Sequence, residues 1–285
     1  MTDYSARPNE DRTSPVAGAA NSNRIMLKVV GVRKTFEGLR ALDNVGFSVK
    51  RGHIKALIGP NGAGKTTILN VINGLLQPDQ GQVFFEGNNL AEMSADKVAH
   101  LGISRTFQMI RLFSVNDATV LDNVMIGAHR FLQPTIAGAL FFRSRTRQQQ
   151  KAAEEKAIEM LRFVGLERCA GMQPEALSFG NQRLVELARS LMAEPKLLLL
   201  DEPASGLNEG EVASFMELVT MIQSKGITIL LVEHNMKLVM KISHEIVVLD
   251  FGISLAEGPP LAICADPRVI QAYLGTEFAT TGGAA

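Results

Sequence analysis

Cysteine is scarce in this chain. Cys169 and Cys264 are the only two in 285 residues, and neither has a partner at CxxC spacing. That excludes a disulfide framework and a thiolate zinc site, and it fits a reducing compartment. An excess of one charge is lacking too: Lys+Arg and Asp+Glu each total 29, for a formal net charge of zero. A dedicated nucleic-acid binder would carry a strongly basic surface, so no nucleic-acid partner is expected. Neither a run of about 18 apolar residues nor a basic start followed by an apolar segment occurs, which leaves no candidate for a membrane span or an export signal. The chain is therefore expected in the cytoplasm. Its most apolar stretch, Phe131 to Phe142, is broken by Pro134 and Gly138 and reads as a variable loop, at most touching a membrane or a partner. No repeat with a period of about 20 to 50 residues is visible, so a single cassette is expected, not an array.

What is present is an alternation of short strand patterns with helical ones. Residues 1–24 are rich in Ser, Asn, Asp and Pro without periodicity and read as a disordered tail; 279–285 read as a frayed end. Met26 to Gly31, Val45 to Lys50 and Val83 to Glu86 suit a peripheral sheet, with turns at Gly52 and Gly81. Ile54 to Ile58, Leu197 to Leu200, Ile227 to Val232 and Ile246 to Leu249 are almost unbroken Leu, Ile and Val, the pattern of strands buried on both faces of a parallel sheet. Helical periodicity follows at Lys65 to Leu75, Asn181 to Met192 and Glu209 to Ser224. The fold class is α/β with a doubly covered, mainly parallel sheet. From Ser94 to Gly171 the texture is mainly helical, including the charged Arg143 to Arg162, and predicts a helical subdomain inserted between parts of the sheet.

Two segments carry chemistry. Gly59-Pro60-Asn61-Gly62-Ala63-Gly64-Lys65-Thr66-Thr67 matches G-x-x-x-x-G-K-[ST] and lies between a buried strand and a helix, where the motif has its mechanical sense. Glycines let successive amides turn inward, and the helix adds its positive N-terminal end to phosphate oxygens. Lys65 would bridge the β- and γ-phosphates of ATP, and the Thr66 hydroxyl would ligate Mg2+. The second segment is the run Leu197 to Leu200 ending in Asp201-Glu202-Pro203, at the carboxyl end of a strand, where open α/β sheets bind ligands. Asp201 fits a metal role through water, and Glu202 fits a base for attacking water. Adjacent carboxylates at a strand end could also cap the next helix, but the phosphate loop favours the chemical role.

With these residues in place, the chain resembles an ATP-binding cassette (ABC) ATPase from about Ile25 to Gly275. Leu177-Ser178-Phe179-Gly180-Asn181-Gln182 is similar to the signature of that family, which implies that Ser178, Phe179, Gly180 and Asn181 act in trans on the nucleotide of a second subunit. Gln108 resembles the Q-loop glutamine, at the metal or water site and sensing the transmembrane partner, His234 the switch histidine, Phe36 the aromatic that stacks on adenine, and Ser205-Gly206-Leu207-Asn208 the D-loop. The resemblance thus implies Lys65, Gln108, Glu202 and His234 as catalytic residues, Thr66, Gln108 and Asp201 toward the metal, and Phe36 with Gly59 to Thr67 toward ATP. Phe179 and Asn181 in the signature, Asn208 in the D-loop and Phe36 depart from the commonest residues, which leaves the rate and the symmetry of the two sites open.

The domain it implies spans 25–278, with 25–93 and 176–278 as the nucleotide-binding core and 94–175 as the helical subdomain. Arg105 to Phe113, Thr119 to Val124 and Asp266 to Gly275 are similar to the first of two ATPase subunits in bacterial importers of branched-chain amino acids. That resemblance implies membrane-spanning permease subunits, a second ATPase or a second copy as dimer mate, an indirectly linked solute-binding protein, and a position on the inner face of the cell membrane. Importers of urea or short amides are related alternatives. A soluble ABC ATPase acting on DNA or ribosomes would ordinarily bring a long coiled coil, a tandem cassette or basic extensions, none of which is seen. A P-loop kinase of small molecules would leave the signature segment unexplained.

Overall fold

The computed structural model describes residues 24–114, 117–130 and 143–273. Both expected tails, Arg24 apart, and the stretch from Phe131 to Phe142 lie outside them. The four apolar runs form adjacent strands of one sheet: β3 (Ile54–Ile58), β7 (Leu197–Asp201), β8 (Thr228–Val232) and β9 (Glu245–Asp250). With β6 (Ile103–Arg105) and β10 (Ile253–Gly258) the order is β10-β9-β3-β8-β7-β6, parallel except at β10. Every residue of β3, β7 and β8 is buried, which is why these strands lack an apolar–polar alternation.

Alternate residues of the same strands pack into different layers. Leu57, Leu199, Leu230 and Val232 face a cluster built with α1 (Lys65–Ile72) and the second sheet. Leu198, Leu200, Ile229 and Leu231 face helices α3 (Val120–Met125), α4 (Arg143–Phe163), α5 (Phe179–Met192) and α6 (Glu209–Ser224). The second sheet is antiparallel, in the order β2-β1-β4-β5, from β1 (Ile25–Phe36), β2 (Leu39–Lys50), β4 (Gln80–Phe85) and β5 (Asn88–Asn89). Its first two strands run longer than their apolar cores because register shifts let the pairing continue past Val29 and Val32.

Local chemistry explains most element ends. Helix α1 stops at Ile72, three residues short of the expected Leu75, because Gly74 takes φ +70 and turns the chain. Helix α5 begins two residues earlier than expected, at Phe179, since the Ser178 side chain caps it by accepting from the Asn181 amide. Asn208 and Glu211 form a reciprocal capping box that starts α6 at the expected Glu209. In α4, Lys151 and Glu155 stand 3.8 Å apart on an exposed face, while Arg162 forms a bidentate pair with Glu167.

One expectation needs correction. Within the stretch from Ser94 to Gly171, helix α2 (Ala95–Leu101) does form, but Ile103–Arg105 is the edge strand of the main sheet, parallel to β7. Three residues are too few to register as a strand period. Two short helices flank β9 and β10: α7 (Met236–Ile242) precedes them, and α8 (Pro260–Ala265) comes after, followed by a helical segment over 267–273. No helix among the described residues is long and apolar enough to cross a membrane.

Leu230 is fully buried at the centre of the sheet. Leu230→Ala is expected to lower unfolding free energy by about 2–5 kcal/mol, measured by urea denaturation.

Candidate functional site

The phosphate loop connects the buried end of β3 to α1, and packing on both sides sets its shape. Gly59, at φ +153, lies so close to the Leu249 carbonyl that a side chain would collide with it. At Gly64, φ +97, a Cβ would stand 2.7 Å from the Ala41 oxygen. Gly62 has open space around it but takes φ +81, so its requirement is conformational. Gly64 ends the loop as the N-cap of α1 without a side-chain hydrogen bond, and the first turn holds no acidic residue, so its amides are not engaged by an internal carboxylate. Asn61, Gly62 and Thr66 are exposed at this end, Pro60 and Thr67 are half-buried, and Gly59 and Ala63 are buried.

The Lys65 ammonium is turned back into the loop, donating to the Gly59 and Pro60 carbonyls at 2.7 and 2.9 Å. Burial lowers its pKa, opposed by the Glu202 and Asp201 carboxylates. Tyr273, from the helical segment over 267–273, packs against the cluster containing Ile58, and burial pushes its phenol up to about 12 against a hydrogen bond from the Gly59 backbone.

Parallel strands bring the other candidates to the same edge. Glu202 follows β7, and its amide donates to Val232 at the end of β8. The Gln108 amide nitrogen donates to Glu202 Oε2 at 3.0 Å, and His234 Nδ1 lies 3.9 Å from that same oxygen. Glu202 takes φ +47, a left-handed conformation that costs a residue with a side chain about 1–2 kcal/mol. Asp201 is buried and paired with Arg105 at 2.8 Å. Thus Lys65, Asp201, Glu202, Gln108 and His234, spread over 170 positions of the sequence, share one sheet edge.

Ser178 to Asn181 open α5 elsewhere: among the described residues no hydrogen bond joins them to Gly59–Thr67. Phe179 is half exposed, with its ring against Gly206 of the Ser205–Asn208 loop and under the Arg183 guanidinium at 5.4 Å. Phe36 is 44% exposed at the end of β1, open for stacking, with Lys34 Nζ 5.7 Å from its ring.

Four positioning residues carried no expectation. Glu233, buried after β8, accepts from the Ala204 amide with one oxygen and from the His234 and Asn235 amides with the other, so it sets both loops beside Glu202. Arg183 donates to the Phe107 and Gln108 carbonyls at 3.0 and 2.8 Å, and Arg189 to the Arg111 carbonyl at 2.7 Å. Glu186 accepts from the Phe107 amide at 3.2 Å. Helix α5 therefore grips the backbone around Gln108 from both sides. The available signal was weak: a carboxylate ending an apolar strand at Glu233, and a carboxylate on the apolar face of a helix at Glu186.

A glycine loop and helix N-terminus facing strand-end carboxylates across a parallel sheet define a P-loop nucleotide-binding protein. A family model described as "ABC transporter" matches residues 42–205, and one described as "Branched-chain amino acid ATP-binding cassette transporter" matches residues 255–279. The high-affinity branched-chain amino acid transport ATP-binding protein BraF of Pseudomonas aeruginosa is 39% identical over 89% of this chain and 99% of its own. LivG of Escherichia coli, of the same description, is 39% identical over 88% and 98%. An ATP-binding cassette of an ABC transporter, solved in an ADP conformation, superposes with a TM-score of 0.76 at 31% identity, covering 89% of this chain and all of that one. A bacterial ABC transporter cassette solved as a dimer gives 0.71 at 27% identity, over 82% and 99%. The chain belongs to the ATP-binding subunits of ABC transporters, in their branched-chain amino acid branch.

Burial raises the Glu186 carboxyl above its ordinary 4.5, against the Phe107 amide and the Arg189 and Arg183 guanidinia. A carboxyl raised in the fold adds stability below its unfolded value and loses that contribution as pH rises. Glu186→Gln keeps an acceptor for Phe107, so urea unfolding from about pH 4 to 8 should show the variant gaining on the natural chain as pH increases.

Proposed function

We propose that this chain hydrolyses ATP for an importer of branched-chain amino acids, as one of two cassettes beneath membrane-spanning permease subunits. The observation that carries the reading is the meeting of the phosphate loop with Lys65, Asp201, Glu202, Gln108 and His234 at one sheet edge. The solute class rests on the match over 255–279 and on the descriptions of BraF and LivG. The solute itself would never touch this chain, being captured by a solute-binding protein of the same system.

The residues fit MgATP by their donor chemistry. Thr66, Asp201 and Gln108 offer hydroxyl, carboxylate and amide oxygens, the hard donors that Mg2+ takes alongside phosphate and water. An Mg2+ ion held by these oxygens would supply a compact positive charge that offsets the charge of the phosphates. Lys65 would leave the Gly59 and Pro60 carbonyls for those phosphates, and the α1 amides would meet the same oxygens. Glu202 would accept the proton of the attacking water, with Gln108 orienting that carboxylate and His234 facing the γ-phosphate. Phe36 would stack on adenine.

The signature residues Ser178, Phe179, Gly180 and Asn181, with the Ser205–Asn208 loop, would close over the nucleotide of the opposite cassette. Their separation from the chain's own phosphate loop supports this, as does the dimeric arrangement of the solved bacterial cassette. ATP would favour the closed pair and hydrolysis would release it, which moves the permease through the difference in affinity of two conformations. Its docking surface would lie within Ser94 to Ala128, where Met109 is 73% exposed and Phe113 51%, beside Gln108 in the chain. The chain would sit on the inner face of the cell membrane, held by that contact. The division at 94 and 175 would separate a helical lever from the core, although β6, inside that stretch, pairs with β7 of the main sheet.

Glu202→Gln should cut steady-state hydrolysis by about 100-fold or more while leaving ATP affinity within about twofold. An unchanged rate in the assembled transporter would remove Glu202 from its role. Lys65→Ala should abolish ATP uptake measurable by calorimetry.

A further inference from the structure

Arg105 ends β6, three residues before Gln108, and its side chain is 3% exposed. Its Nη2 donates to Asp201 Oδ2 at 2.8 Å, and its Nη1 to Asn70 Oδ1 at 2.7 Å. Asn70 lies one turn along α1 from Thr66. The Phe107 ring stands 5.1 Å from the guanidinium carbon, so the group is flanked by a π-face. One side chain thus joins the β7 carboxylate, the phosphate-binding helix and the strand that leads into the Gln108 segment.

Stability alone does not account for such a group. A buried ion pair recovers little beyond its desolvation, and well-packed apolar residues serve a sheet interior as well or better. What the guanidinium supplies is geometry: two donors in a planar fork, with fixed distances to two acceptors on different elements. Arg105 engages one oxygen of Asp201 and so fixes the rotation of its carboxyl plane relative to α1.

We propose that Arg105 is a positioning residue, which holds the Asp201 carboxylate in register with Thr66 and couples that register to the Gln108 segment. The inference rests on the assignment of Asp201 to the metal. Two effects oppose each other when Arg105 is removed: the carboxylate regains its full charge, which favours a cation, and loses its fixed orientation. The tether to α1 makes orientation the larger effect, because the metal is shared with a hydroxyl on that helix.

The test is calorimetry of ATP binding to the purified full chain, with and without Mg2+, on variants whose folding is verified by circular dichroism. Arg105→Met should raise the Mg2+ concentration that half-saturates the gain in ATP affinity by about 10-fold or more, the range for groups that orient metal ligands. ATP affinity in EDTA should stay within about twofold, since the phosphate loop is untouched. Arg105→Lys, a cation without the fork, should lie between. Asn70→Ala, which frees the tether but keeps the Asp201 pair, should shift the Mg2+ requirement in the same direction by less, and serves where Arg105→Met does not fold. A folded Arg105→Met or Asn70→Ala with an unchanged or tighter Mg2+ requirement overturns the proposal. Asp201→Asn separates the two layers: if it leaves Mg2+ dependence unaltered, the metal assignment itself fails, whereas a shift there without one at Arg105 or Asn70 rejects only the positioning role.

Discussion

Strand β3 is hydrogen-bonded to parallel neighbours on both sides, β8 and β9, and buried along its whole length. It has no freedom to slide, because each face carries side chains that only one register buries. The phosphate loop inherits that rigidity. Its first glycine is pressed against the Leu249 carbonyl at the end of β9, and its last against Ala41 of β2, so the loop is held by two sheets at once. The shape of the loop is a consequence of core packing, set before any ligand arrives.

From that fixed point the geometry spreads along the sheet edge. β8 stands next to β3, β7 next to β8, and β6 next to β7, so His234, Asp201 with Glu202, and Gln108 leave consecutive strands at the same end. Glu233 stitches the first two exits together through three backbone amides. The third is held differently: Arg183, Glu186 and Arg189 of α5 grip the backbone from Phe107 to Arg111. The helix that begins at the signature and the segment that presents Gln108 are therefore joined by direct hydrogen bonds. In the proposed cycle, a displacement of one would be felt by the other through those bonds, without a longer chain of contacts.

Much of this was legible in sequence because it is local. Gly59 to Thr67 lie within nine consecutive residues, and an apolar run before them with a helical period after them fixes what the glycines are for. The strands β3, β7, β8 and β9 announced themselves by composition, since burial on both faces removes polar residues altogether. The helix start expected at Glu209 from periodicity coincides with the capping box that Asn208 and Glu211 form within one turn. The edge strand β6 and the early end of α1 escaped: three residues show no period, and a turn at Gly74 is visible only as a glycine.

By itself the sequence determined the buried central strands, the phosphate loop, the carboxylate pair and the family to which they belong. All of these are written in short windows where neighbours in the chain are neighbours in space. Tertiary structure alone decided that Arg105 meets Asp201, 96 positions away, that Glu186 meets Phe107, 79 positions away, and that the Lys65 ammonium turns back on Gly59. Those pairings depend on strand order and on which face of a helix the sheet buries, quantities set by the packing of the whole chain and encoded in no single segment of it.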